Sequence, residues 1–394
     1  MKRIADHDRN RESEDQFCRR TGGHIFYRRS HAVIIAYPSE KVIRTLSLIS
    51  LSSDDIIPSD KESFMKYRTL GNTNLNASVI ALGTWGLGGG SVWEDTDLSS
   101  ADNLLSAAAD CGINYIDTAP VYGMGRSEEL LGRALRGKRD KFLLQTKCSL
   151  NWRREDGIFK YARDGYTVNN NTEKDAILRD VEESLSRMQT DYIDVLIVHY
   201  VNSSWPAEET VAGLEDLVRE GKIRAYGISN SQPADLDAYA AHGNPALVQE
   251  QYSLLAPSHG ESYFPACTKH HATFQVYGAL EEGYLTGPNH LYRSYKPGDI
   301  RARLPWNTEP YQSGLKKLYD EVWTPLTEKY HCSYANLFEA WTLRQYDNLS
   351  LLIGSRHPET ILDTARCLDL ELDPEDLKLL LETAEPVQVK ELDK

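Results

Sequence analysis

From residue 66 onward the chain alternates two hydrophobic rhythms. Short apolar runs at Val79–Leu82, Tyr115–Asp117, Phe142–Gln145, Ile193–Val198, Ile223–Ile228, Ala246–Glu250, Thr273–Tyr277 and Leu351–Ile353 read as buried parallel strands. After most of them, apolar residues recur at helical spacing. Leu104, Leu105 and Ala108 mark one face of Ala101–Cys111, and Thr172–Met188, Glu209–Glu220 and Tyr334–Tyr346 repeat the pattern. Gly112, Gly221 and Gly243 stand where helices should stop. A hairpin signal, Tyr67–Leu70 and Ala77–Ile80 around the turn-rich segment 71–74, precedes the first run. Strands each followed by a helix predict a single α/β domain, a (β/α)8 TIM barrel whose sheet closes and leaves no edge. The glycine-rich stretch 83–90 suggests a doubly wound sheet as the competitor. Its spacing is not that of a dinucleotide fingerprint, and no suitable helix follows directly.

Residues 1–64 stand apart. They mix charges of both signs around two modest apolar patches, His31–Tyr37 and Val42–Leu51. Acidic residues come too early for a transit peptide, and no apolar core precedes a small-residue cleavage site. The expectation is an N-terminal extension over 1–64, poorly ordered or the product of an upstream start, followed by the barrel over 65–394.

The ends of the predicted strands carry the chemistry. In order they deliver Gly83-Thr84-Trp85, Asp117, Lys147, His199, Ser229-Asn230, Gln249, Tyr277-Gly278 and Gly354-Ser355-Arg356, with Tyr122 just beyond the second. Barrel enzymes take their reactive groups from this end of the strands. Singly, Asp117 could cap a turn, Lys147 could be an ordinary strand-end charge, and His199 could be a satisfied interior histidine. Together at one mouth, a carboxylate, a lysine, a tyrosine and an imidazole can put a proton on a carbonyl oxygen while a cofactor supplies hydride. A free tyrosine titrates near 10, so Tyr122 calls for a cation beside it, which Lys147 supplies and Asp117 orients. His199 would shape the pocket around the carbonyl oxygen.

Bulk properties narrow the partners. A net charge of −14 and a pI near 5.3 argue against nucleic acid or an acidic membrane surface. No apolar stretch approaches the roughly 20 residues of a membrane helix. The six cysteines are dispersed without a CxxC pair and read as free thiols in the cytoplasm. Cys267 with His270 and His271 lacks a second ligand group at zinc spacing, so no metal is expected.

Several segments together resemble the aldo-keto reductases: Ile116-Asp117-Thr-Ala-Pro-Val-Tyr122-Gly, Gly125-Arg-Ser-Glu-Glu-Leu-Leu-Gly132 and Gly221-Lys-Ile-Arg-Ala-Tyr-Gly-Ile-Ser229-Asn230. Tyr277-Gly-Ala-Leu280 and Gly283-Tyr-Leu-Thr-Gly287 are similar to the bacterial and fungal branch near the inositol-operon and general-stress reductases. The resemblance covers roughly residues 66–385. It implies interconversion of carbonyls and alcohols, with small aldehydes, dicarbonyls or sugars as substrates, by a monomeric or weakly oligomeric barrel using NADP(H), with NAD(H) left open. By similarity, Ser229, Asn230 and Gln249 hold the nicotinamide carboxamide and Tyr277 stacks on its ring, unless it is a barrel-core tyrosine. Gly278, Ala279 and Leu280 lie near the pyrophosphate, where relatives often carry serine in place of Gly278. Gly83, Thr84, Trp85 and Gly354 fall at the same mouth. Ser355 and Arg356 would grip a 2′-phosphate. Thr360, where relatives often carry a longer polar or basic residue, weakens the case for strict NADP preference, and Asp363 would face the adenine. Two long loops, Ser149–Asn171 and Asn289–Gly314, would set the substrate, with Trp85, Trp152, Trp205 and Trp306 among the candidate walls. Two alternatives remain: a sugar or polyol dehydrogenase working oxidatively, and a non-catalytic barrel like the potassium-channel β-subunits. In that branch asparagine commonly replaces the histidine kept here as His199.

Overall fold

Eight parallel strands close into a barrel in the computed structural model: Ile80–Gly83, Tyr115–Asp117, Leu143–Cys148, Ile193–Val198, Ile223–Ser229, Leu247–Gln251, Thr273–Tyr277 and Leu349–Gly354. The structure describes residues 20–21, 24–29, 32–36, 65–91, 93, 96–295 and 299–390. Closure comes from pairing of the last strand with the first, Gly354 opposite Gly83. These strands lie between helices and barrel interior, which explains their continuous apolar runs. Ile193, Val195, Leu196, Ile197 and Val198 are all fully buried, each contributing about 1.5–3 kcal/mol relative to exposure.

The helices obey the same logic. In Lys174–Met188, Ile177, Val181, Leu185 and Met188 turn inward at spacings of three and four, and Gln189 ends the helix in the left-handed region at φ 53°. Asp97 starts Leu98–Asp110 by accepting from the Ser100 backbone N–H at 2.9 Å. Gly112 and Gly221 stop their helices at φ 76° and 74°. Gly243 serves differently: a Cβ there would lie 2.1 Å from the Tyr226 hydroxyl. Strand ends differ from the sequence reading by up to three residues, the most at the third strand, and Tyr67–Thr69 pairs with Asn76–Ser78 as the expected hairpin.

The interior of the barrel is polar beneath the mouth. Gln145 and Gln249 both donate to Gln275 Oε1, at 2.8 and 2.7 Å, and Tyr115 donates to Gln145. Each buried amide is thus partnered.

The chain divides into two compact units, Met1–Lys61 and Glu62–Lys394. Within the first, the stretch expected to be poorly ordered, Arg20–Thr21, His24–Arg29 and Ala32–Ala36 form an antiparallel sheet. The apolar patch at 31–37 coincides with the third of these strands. Val42–Leu51 and Cys18 lie outside the described residues.

Candidate active site

The second, third and fourth strands bring four side chains together. Lys147, 1% exposed, donates to both oxygens of Asp117 at 2.7 Å, to the Thr118 carbonyl at 3.0 Å and to the Tyr122 hydroxyl at 3.2 Å. Asp117 also accepts from Gln145 at 2.5 Å and Gln249 at 3.1 Å. The carboxylate is therefore held from several sides, and the lysine cannot swing away. His199, one residue past the fourth strand, meets Tyr122 edge-on with ring centroids 6.2 Å apart. Its Nδ1 is buried without a hydrogen-bond partner among the described residues, a group that a polar ligand would satisfy.

Two glycines make the close approach of Tyr122 possible. A Cβ on Gly123 would lie 2.0 Å from the Gly88 carbonyl oxygen, and one on Gly88 would lie 2.8 Å from the Tyr122 backbone carbon. The loop after the second strand is thereby pressed onto the short turn Trp85–Gly88, and Trp85 stands 6.4 Å from the Tyr122 ring. Beneath them the Ser127 hydroxyl lies 2.9 Å from those of Thr84 and Thr118. Glu128, fully buried, pairs with Arg187 at 2.6 Å and accepts from Thr146 at 2.6 Å. The Gly125–Gly132 signature is thus scaffolding for the tyrosine loop.

Burial sets the protonation states. It holds the His199 imidazole well below its usual range, with Lys147 and Lys160 adding to the effect, so the ring is neutral near pH 7. Burial also lowers Lys147, against the pull of Asp117. Tyr122 has beside it the cation that the sequence calls for, Lys147 at 3.2 Å. Burial, followed by the Asp117 carboxylate, pushes its phenol well above the ordinary value. Near pH 7 the phenol therefore keeps its proton.

The fifth to seventh strands close the ring of contacts. Asn230, left-handed at φ 49°, donates to the His199 carbonyl at 2.8 Å and accepts from the Tyr277 hydroxyl at 2.8 Å. Ser229 accepts from Asn230 at 3.1 Å. Gln249 commits its amide nitrogen to Asp117 and Gln275. Gly278 takes φ 72°, and a Cβ there would come within 3.2 Å of Gln251. Ala279 is buried and Leu280 partly buried.

The outer candidates are more dispersed. Thr84 is buried and donates to the Asp117 carbonyl at 2.9 Å, a structural contact. Gly354 and Thr360 are exposed. The Ser355 hydroxyl donates to the His357 carbonyl at 3.0 Å and accepts from its N–H at 2.9 Å. Arg356 lies over Trp93, 5.4 Å from the ring centre, and Trp93 packs edge-on to Trp85. Asp363 accepts from Ser333 at 2.8 Å.

The loop after the third strand holds an unforeseen element. Ile158–Arg163 and Tyr166–Asn170 form a β-hairpin, with Leu150–Asn151 as a third strand. Asp164 and Gly165 make its turn at φ 52° and 80°, the left-handed pair that favours Asp-Gly in a two-residue hairpin. That dipeptide between alternating residues is the signal that could have revealed it. Val121, Val168 and partly buried Tyr122, Met124, Trp152, Tyr161 and Tyr200 cluster beneath the hairpin. At its base Arg154 pairs with Asp180 at 2.5 Å and Glu183 at 2.6 Å, so Arg154 is structural. Trp306, a candidate wall, is instead fully buried and donates to the Val387 carbonyl at 2.9 Å. A second missed residue is Glu282. Burial raises its carboxyl to about 7, and its charge reaches Tyr122.

Comparison with known proteins agrees with this geometry. A family model described as the Aldo/keto reductase family matches residues 79–385. An NADH-specific methylglyoxal reductase of Escherichia coli is 35% identical over 331 residues, covering 82% of this chain and 100% of that protein. A glycerol dehydrogenase structure from Gluconobacter oxydans is 30% identical with a TM-score of 0.74, over 84% of this chain and 98% of that one. An aldo/keto reductase from Klebsiella pneumoniae, solved with NADP and acetate, is 27% identical with a TM-score of 0.61, over 80% of this chain and 94% of that one. The chain belongs to the aldo/keto reductase family.

Proposed function

We propose that the protein reduces the carbonyl group of a small aldehyde, dicarbonyl or sugar to an alcohol, with Tyr122 as the general acid. One observation carries this reading: the Tyr122 hydroxyl accepts from Lys147 at 3.2 Å while both oxygens of Asp117 hold that lysine. An oxygen that accepts from the lysine has its own proton free to point elsewhere.

The cofactor is NADP(H) or NAD(H), and the residues at the mouth fit it. Gln249 has its amide nitrogen engaged within the barrel and its carbonyl oxygen left to accept. Gly278 offers bare backbone at its left-handed φ of 72°. Ser229, Asn230 and Gln249 would hold the carboxamide, Tyr277 the ring, and Gly278, Ala279 and Leu280 the pyrophosphate. When bound, the reduced nicotinamide supplies the hydride that the carbonyl carbon takes up. Tyr122 then gives its proton to the carbonyl oxygen, and the negative charge left on the phenol oxygen is held by Lys147. His199, being neutral, orients the carbonyl oxygen by donating a hydrogen bond without competing as a stronger acid. Tyr122 begins the reductive reaction protonated, as a general acid must.

Arg356 would bind a 2′-phosphate and favour NADPH. Exposed Thr360 adds no charge there, and the Escherichia coli relative is named NADH-specific. The test is oxidation of NADPH and of NADH by the full chain against short aldehydes, aryl aldehydes, methylglyoxal and glyceraldehyde. The expected result is turnover of at least one carbonyl, faster with NADPH, with Arg356→Ala removing that preference. No turnover with either cofactor would overturn the proposal.

A further inference from the structure

The hairpin over the mouth carries two cations, Lys160 and Arg163. Phe159 pairs with Asn169 and Tyr161 with Val168, which leaves Lys160 as an extra residue in a β-bulge. Strict alternation would turn Lys160 outward, opposite half-buried Tyr161 and Arg163. Lys160 is exposed along with Phe159, itself 64% exposed, yet its ammonium turns back toward Tyr200. Bulges beside active sites commonly re-aim a side chain in this way. Lys160 Nζ lies 3.8 Å from the centre of the Tyr200 ring, which is itself 5.4 Å from the His199 ring. Arg163 lines the cleft next to the tyrosine loop, with Trp85, Val121, Gly123 and Met124.

Neither cation has a carboxylate partner within ion-pair distance among the described residues. The basic residues at the foot of the same sheet do: Arg154 and Arg179 both engage Asp156, at 3.5 and 2.8 Å. Asp164 shares the cleft with Arg163, but its Oδ2 lies 3.4 Å from the Ser91 N–H. A chain of net charge −14 thus keeps near its reactive groups two cations without a carboxylate partner among the described residues, where a local positive field draws in anions.

We propose that Lys160 and Arg163 form an anion subsite and that the substrate is a carbonyl compound bearing a carboxylate or phosphate. This rests on the reductase reading given above. The chemistry is balanced by that reaction alone, since the anionic group is bound and not transformed.

The test compares matched aldehydes in the full chain: succinic semialdehyde against butanal, and glycolaldehyde phosphate against glycolaldehyde. A hydrogen bond to a charged group, worth about 1.5–3 kcal/mol, corresponds to roughly 10–100-fold in kcat/KM. The wild type should favour the anionic member of one pair by that factor, the pair identifying carboxylate or phosphate. K160Q should erase most of the preference, K160R should keep it, and added salt should weaken it. Equal use of both members by the wild type, or K160Q and R163Q lowering both members alike, overturns the subsite. Calorimetric titration of succinate and of inorganic phosphate separates this from failure of the reductase reading. Anion binding lost in K160Q, with no aldehyde turned over, leaves the subsite standing and removes the reductase. Butanal turnover without anion preference does the reverse. Neither binding nor turnover overturns both.

Discussion

The two ends of the barrel each hold a buried carboxylate gripped by cations, and they are put to different uses. At the mouth, Asp117 holds Lys147. At the floor, Asp194, 1% exposed, accepts from Arg139 and the Leu144 N–H at 2.8 and 2.9 Å and from Arg224 at 2.6 Å. Arg139 spends its remaining donors on the Phe142 and Tyr192 carbonyls and on Thr190. Every partner at the floor is a fixed donor or acceptor, so the arrangement can only hold strands in place. The mouth differs in its further partner, the Tyr122 hydroxyl at 3.2 Å from Lys147, beside a His199 nitrogen without a partner among the described residues. In the proposed reading, what the cation touches next separates a reactive pair from a stabilising one, in keeping with the division between the two ends of such barrels.

Substitutions at the two ends should therefore part company. Lys147→Met removes the charge that steadies the phenol oxygen, and turnover per folded molecule should fall about 10²-fold or more, the scale of a lost transition-state donor. A variant retaining a tenth of wild-type kcat would contradict that role. Asp194→Ala leaves Arg139 and Arg224 without their carboxylate. Urea unfolding should show a loss of about 3–5 kcal/mol, while the folded fraction keeps its kcat. A selective loss of kcat there would erase the contrast. The smallest effect belongs to Glu282, whose carboxyl titrates at about 7. Above that pH its negative charge opposes the charge developing on Tyr122, so kcat/KM for reduction should fall as pH rises through about 7. Glu282→Gln should flatten that step. An unchanged profile would place the responsible group elsewhere.

What the sequence disclosed follows from the same physics. Strands buried on both sides must be apolar throughout, so a polar residue at a strand end is conspicuous, and Asp117, Lys147, Tyr122 and His199 could be named and do converge. Directions of pKa shift could not be read, because they depend on burial. Lys160 was hidden by its reach: the residue is exposed on its strand, while its ammonium lies 3.8 Å from the centre of the Tyr200 ring. Glu282 was hidden by backbone conformation, since Glu281 and Glu282 sit consecutively at φ 46° and 52°, which nothing in their side chains favours. Trp306 and Arg154 look like loop residues in sequence and are tied into the fold by long-range partners.

The most direct test of the central claim is Tyr122→Phe, with kcat for carbonyl reduction and the Kd for the reduced cofactor measured on the same preparation. Removing only the hydroxyl should lower kcat about 10²–10⁴-fold, the range of general-acid catalysis, and leave the Kd nearly unchanged. Turnover above about a tenth of the wild type would remove Tyr122 as the proton donor, and with it the distinction drawn between the two ends of the barrel.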